Sequence, residues 1–253
     1  MSVLNGYGQA HDMVCEDMEQ AADSVLTEAS ALATVEFRHD YKFRPNQLIA
    51  PASMLAVGVA GVWGFSGLKE SVRHHFSGSR VVHFDNFLQY TPGVVYMGLG
   101  FIPGVKCRSD GWRDRVMAGV SAYAVMMVMN NVMKVSFRER RPNSERRNSF
   151  PSGHTAVAFT GAELMRIEYG NWAGFAAYAV AVTVGATRIY NDRHWINDVI
   201  GGAAVGILSA RIGYWLLPVE RRLFGLDRDK SKKTVAILPM AGEANGISFA
   251  MTF

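Results

Sequence analysis

The chain has 253 residues, enough for one domain with a large core, and 49% of them are hydrophobic against a formal net charge of +4. Its arginines cluster, as at Arg140, Arg141, Arg146 and Arg147, but lack the interleaved aromatics of a single-strand surface, so no nucleic-acid partner is expected. Two cysteines, Cys15 and Cys107, are too few for a disulfide framework or a cysteine-built metal site.

Residues 1–44 form an acidic N-terminal segment with no lysine or arginine before Arg38. Met18, Ala22, Val25, Ala29 and Leu32 recur at helical spacing and predict an amphipathic helix. No basic stretch followed by an apolar run marks an ordinary signal peptide, so the start has been trimmed or a later segment provides targeting. The core is placed at 45–217. Within it, 45–68, 87–105, 116–133 and 169–187 contain no charged residue, and each approaches the length of a bilayer-crossing helix. Two weaker helices follow His154 and start near Val199; the first meets Glu163 and Arg166, the second Arg211. With a mean hydropathy of only +0.05, a soluble all-α domain with very apolar core helices fits the same pattern.

The remainder, 218–253, begins with a basic linker that includes 227–233. Thr234 to Leu238 and Ile247 to Phe253 then flank Pro239, Gly242 and Asn245-Gly246, which predicts a short β-hairpin. No chemistry is assigned to it.

Three blocks carry the chemistry. In the first, Lys134 and Arg141 stand seven apart, two turns of a helix that Pro142 helps to stop, so both cations are expected on one face. Arg138, four residues after Lys134, is expected to share that face or to be solvated. The second block is Ser149-Phe150-Pro151-Ser152-Gly153-His154. Ser152 is a good N-cap, and the free N–H groups of the helix it starts make an anion site that Gly153 lets a ligand approach. Alone, this stretch reads equally as a capped helix with a stray histidine. The third block holds Arg188, His194 and Asp198; the last two stand four apart and share a face if helical. Two histidines, a carboxylate and three cations around a helix start suit the breaking of a phosphate ester.

Lys-six residues-Arg-Pro, then Pro-Ser-Gly-His, then Arg-five residues-His-three residues-Asp resembles the pattern of the type 2 phosphatidic acid phosphatase superfamily. That group also includes class A acid phosphatases and vanadium haloperoxidases. Thr187 stands where the family usually has serine, and a hydroxyl is kept. The resemblance implies an all-α bundle of about six core helices in a membrane, with the motifs between helices three and four and near the start of helix six. It also implies a covalent phospho-histidine and a lipid phosphate as substrate: phosphatidate, phosphatidylglycerophosphate, undecaprenyl diphosphate or lipid A.

On this reading His194 is the nucleophile, with Asp198 holding its Nδ1 proton so that Nε2 faces phosphorus. His154 is the general acid. Lys134, Arg141, Ser152, Gly153 and Arg188 bind the phosphate, and no metal or other cofactor is expected. His11, His39, His74, His75 and His83 have no comparable context. The expected location is a bacterial inner membrane with the site facing the periplasm. Lys106, Arg108, Arg113, Arg115 and the basic tail then lie inside, as the positive-inside rule prefers, while Lys69, Arg73 and Arg80 run against it. A soluble acid phosphatase, a vanadate-dependent haloperoxidase and a non-catalytic lipid-phosphate binder are the alternatives, and the oligomeric state is left open.

Overall fold

Stretches without charge become helices here, and the breaks fall where proline, glycine or a left-handed residue interrupts the backbone. The computed structural model describes residues 43–78, 80–226, 235–240 and 246–251. Its helices are α1 Asn46–Trp63, α2 Ser66–Phe76, α3 Asp85–Leu88, α4 Thr91–Leu99, α5 Trp112–Phe137, α6 Gly153–Tyr169, α7 Asn171–Tyr190 and α8 Ile196–Leu223. Two strands, β1 Val235–Met240 and β2 Gly246–Met251, pair antiparallel with Val235 opposite Met251. The amphipathic helix expected around Met18 to Leu32 and the linker 227–233 lie outside the described residues.

Four helices, α1, α5, α7 and α8, are long and apolar enough to cross a membrane, at 18, 26, 20 and 28 residues. At 1.5 Å per residue they measure about 27 to 42 Å, against a hydrocarbon core of about 30 Å. The expected span over 87–105 is corrected. Helix there is limited to the end of the four-residue α3 and the nine residues of α4, which measure roughly 14 Å. Pro92 sets its start, and after Gly100 the chain turns through Pro103 and Gly104, whose φ of +86° is left-handed. The stretch 45–68 is likewise divided, because Phe65 sits at φ 58° and starts α2 in a new direction.

Helix α6 occupies the middle, packed against α4, α5, α7 and α8. Most of its residues are buried, among them Ala156, Ala158, Ala162 and Leu164 at 0% exposure. The charges that weaken its hydropathy face inward and meet partners there. Glu163 accepts from Arg166 at 2.6 and 2.7 Å, from Arg211 of α8 at 2.6 Å and from the Tyr178 hydroxyl of α7 at 2.6 Å. Glu168 accepts from Tyr214 at 2.7 Å and from the Ser109 hydroxyl, with Arg115 3.9 Å away. Outward faces are apolar instead: Val120, Val128 and Val132 of α5, and Trp172, Phe175 and Val182 of α7, are exposed. So much outward apolar surface suits lipid better than water.

Helix α8 lies against the α6 backbone because it presents glycine at the crossing. A Cβ at Gly202 would stand 2.5 Å from the Ser152 carbonyl oxygen, and one at Gly206 2.6 Å from that of Ala156. Small residues four apart make such close crossings in membrane bundles. Asp198 lies one turn before Gly202 on the same face, so this crossing also sets the site.

Two outcomes are expected. The protein should sediment with membranes and need detergent for extraction; recovery in the soluble fraction after lysis would move it to the soluble branch. Gly206→Ala should cost about 1–3 kcal/mol, because rigid backbone must move, whereas Gly67→Ala, with open space around it, should be neutral or stabilising. Thermal unfolding in detergent compares the two.

Candidate active site

Between α7 and α8 the chain makes a five-residue turn that carries His194, and its form is fixed from several sides. Asp192 is left-handed at φ 55°, and its carboxylate takes a bidentate pair of bonds from Arg73 of α2 at 2.9 and 3.0 Å. Asn191 bonds the backbone of Val82 in both directions at 2.8 and 2.7 Å. His194 is thereby held 4% exposed. Asp198 is the third residue of α8, and its Oδ2 accepts the Trp195 N–H at 2.8 Å, as an acidic residue at a helix start does. The same oxygen accepts from the Ser149 hydroxyl and stands 3.2 Å from His194 Nδ1. The expected His194–Asp198 bond therefore forms, but His194 precedes the helix. Helix capping brings the pair together, not a shared helical face.

Ser152 is the N-cap of α6, as the sequence implies, though its hydroxyl makes no capping bond and instead accepts from Thr155 at 2.9 Å. Its amide donates to the Asp198 carbonyl at 2.9 Å, which joins the second block to the third. Gly153 opens the helix beside it; a Cβ there would reach only Asn130 Nδ2, at 3.5 Å. Among the described residues no other side chain comes within 4 Å of that position.

Lys134 lies near the end of α5 and donates to the carbonyls of Asn148 at 2.9 Å and Pro151 at 2.7 Å, so it braces the loop before α6. The expected helical register of Arg141 is corrected. Arg138 caps α5 in the left-handed region at φ 47°, so neither Arg138 nor Arg141 continues the face of Lys134. Arg141 reaches the site from a tight turn, with Nε bonded to Asn148 Oδ1 at 2.9 Å. Arg188, in the last turn of α7, gives Nη1 to Asp85 of α3, while its buried Nε has no partner. His154 Nε2 stands 3.0 Å from Asn86 Oδ1, an acceptor, which places the proton on Nε2.

Burial holds the His194 imidazole well below its ordinary value, and the fields of Lys134, Arg141 and Arg188 act in the same direction. It is neutral, with Nδ1 directed at Asp198. Burial, then Arg188, pushes His154 down to about 4, while Asp85 opposes that shift. An anion placed among the three cations would cancel much of their field and raise His154 again.

All eight residues singled out in the sequence thus gather at one end of α6. Four others that the sequence reading passed over support them. Asp85 pairs Arg188, Asn86 faces His154, Ser149 donates to Asp198, and Asn148 links Lys134 with Arg141. Only Ser149, inside the second block, and Asn148, just before it, were near enough to a motif to be suspected. Among the described residues no group of three or more His, Cys, Asp or Glu side chains is arranged to hold a metal ion.

Comparison with known proteins gives the same stretch a family. A lipid A 1-phosphatase of Porphyromonas gingivalis is 42% identical over 147 residues, 56% of this chain and 33% of that protein. An undecaprenyl-diphosphatase of Sulfolobus acidocaldarius is 31% identical over 93 residues, 36% of this chain and 44% of that one. The chain therefore spans less than half the length of either relative. The crystal structure of Aquifex aeolicus LpxE superposes with a TM-score of 0.45 at 24% identity, covering 58% of this chain and 94% of that one. Residues 115–222 match the model of the PAP2 superfamily, and that stretch holds Lys134, Arg141, His154, Arg188, His194 and Asp198.

Proposed function

We propose that the protein is a lipid phosphatase that removes a terminal phosphate from a membrane lipid through a phospho-histidine on His194. One observation carries this reading: a buried, neutral His194 has Nδ1 directed at Asp198, which leaves Nε2 free within the field of Lys134, Arg141 and Arg188. Nucleophile, orienting carboxylate and charge clamp are the parts that phosphoryl transfer needs.

The phosphate lies over the α6 N-terminus, on the Gly153 and His154 amides and the Ser152 hydroxyl, with Arg188 Nε and Arg141 on its equatorial oxygens. His194 Nε2 attacks phosphorus in line, and the bond from phosphorus to the lipid oxygen breaks. The leaving oxygen takes a proton from His154, which the bound anion holds in its charged form and which returns to the neutral ring as the bond breaks. Asp198 stabilises the positive ring that forms. Water then attacks the phosphorus–nitrogen bond, giving a proton to His154, and inorganic phosphate leaves with His194 neutral again. The three cations do the work that a divalent ion does in other phosphatases.

The outward apolar faces of α5 and α7 support a lipid rather than a soluble ester as substrate. Both relatives named above act, by their names, on phosphorylated lipids, which puts lipid A 1-phosphate and undecaprenyl diphosphate first in an assay panel. A bacterial inner membrane with the site on the periplasmic side fits the basic residues between α4 and α5 and in the tail.

Phosphate release from such a panel tests the reading directly. Activity should survive EDTA; loss in chelator restored by a divalent ion would replace the cation clamp with a metal. His194→Ala should be dead on every substrate, and Asp198→Asn close to it. His154→Ala should lose about 10²–10⁴-fold on a lipid phosphate, whose alkoxide needs a proton, and clearly less on p-nitrophenyl phosphate. Equal loss on both substrates in His154→Ala, with leaving-group-dependent activity left in His194→Ala, would reverse the two roles.

A further inference from the structure

Behind the His194–Asp198 pair stands a second carboxyl group that the mechanism above does not use. Glu139 lies between α5 and the second block and is 8% exposed. Its Oε1 accepts from Lys69 of α2 at 2.9 Å, and its Oε2 from Asn197 Nδ2 of α8 at 2.9 Å. Its carbonyl accepts the Ser149 amide at 3.0 Å, while the Ser149 hydroxyl serves Asp198. Neighbours on both sides of Glu139 in space, Asn197 and Ser149, are thus bonded to it or adjoin Asp198.

Asp198 itself is unevenly satisfied. Oδ2 meets three donors, from Ser149, Trp195 and His194, while Oδ1 is buried and has none. An orphaned carboxylate oxygen in a dry site costs as much as a lost hydrogen bond to a charged group. The charged and titratable groups facing Glu139 are Lys69 from α2 and Asp198 from α8. Lys69 is bonded to Glu139, and Lys134 and Arg141 act on Asp198, but the neighbouring Asp198 anion and burial both oppose a charge on Glu139.

We infer that Glu139 is a positioning residue for the nucleophile: in its protonated form it donates to Asp198 Oδ1 and completes a chain Lys69–Glu139–Asp198–His194. The inference rests on the reading of His194 as the nucleophile. Burial, reinforced by Asp198, lifts the Glu139 carboxyl to about 7, so the proton is present around and below neutrality. In the acid form Asp198 has a donor on each oxygen and its charge stays aimed at His194 Nδ1. When pH rises through that value the proton is lost, two anions face each other, and Asp198 loses its hold on Oδ1. The loss runs from neutral to alkaline pH because the protonated form is the working one.

Three variants and one spectrum test this. Glu139→Gln keeps a donor for Asp198 and an acceptor for Lys69, and Asn197 can turn its unpartnered Oδ1 toward the new amide. It should keep kcat within about threefold and flatten the alkaline limb on p-nitrophenyl phosphate, where proton donation by His154 matters least. Glu139→Ala should lower kcat about ten- to a hundredfold with KM little changed, as loss of a buried outer partner does. Glu139→Asp should fall between them, since its shorter arm reaches less far. Equal losses in Glu139→Gln and Glu139→Ala, or none in Glu139→Ala, would overturn the proposal. Difference infrared spectra across pH 5–9 need no turnover. A protonated-carboxyl band that titrates near neutrality and is missing from Glu139→Gln supports the shared proton, and an unchanged band overturns it. Wild-type protein that releases no phosphate from any substrate would instead sink the reading of the activity, whatever the spectrum.

Discussion

Because Gly202 and Gly206 let α8 lie on the backbone of α6, the carbonyl of Asp198 reaches the amide of Ser152 at 2.9 Å. That one bond fastens the start of α6, which on the proposed mechanism receives the anion, to the start of α8, whose Asp198 stands against His194 Nδ1. Two helix N-termini then point into the same small volume, and their partial positive charges add to those of Lys134, Arg141 and Arg188. Side chains bulkier than glycine at the crossing would separate the helices and with them the two halves of the site. On the proposed mechanism, packing between helices and transition-state charge stabilisation depend on the same crossing.

The site's electrostatics follow from that arrangement. Arg188 keeps one donor on Asp85 and another without a partner, and Lys134 is tied to backbone carbonyls that leave its charge uncancelled. A surplus of positive charge in a partly buried cleft is costly unless an anion comes in, so the cleft favours an anion. Holding His194 neutral is part of the same economy, since a protonated ring among three cations would be both unstable and unreactive.

Much of this could be read along the chain. Lys134, Arg141, His154, Arg188, His194 and Asp198 are separated by fixed intervals within about 65 residues, and helix geometry and capping need those intervals. Three of the four uncharged stretches likewise hold the long helices α1, α5 and α7, while α8 arises from the weaker candidate near Val199 and 87–105 gives no long helix. Spacing was a poorer guide to how the groups meet. Lys134 and Arg141 meet because a left-handed Arg138 ends the helix and a turn folds back, and local periodicity does not encode that. Asp85, Asn86 and Lys69 lie 103, 68 and 70 residues from the partners they serve, Arg188, His154 and Glu139, so only the tertiary fold introduces them. Glu163 and Arg211 seemed to argue against helices in lipid while each was counted alone, and hydropathy has no means of pairing them across 48 residues.

That pairing bears on how the protein is made. Arg166 already pairs Glu163 within α6, but α8 carries Arg211 without a carboxylate of its own nearby and finds one only in Glu163 of α6. Helix α6 leaves the ribosome well before α8, with the apolar α7 and its Tyr178 hydroxyl between them. The insertion machinery must therefore keep α6 in a polar or protein-lined environment until α8 emerges, or release the three as one packet. Assembly of this part of the bundle is then concerted rather than helix by helix, and the step that gives Arg211 its carboxylate also draws α8 against α6. In such a scheme the catalytic turn is among the last pieces to be set, and a half-inserted chain has no working site to expose.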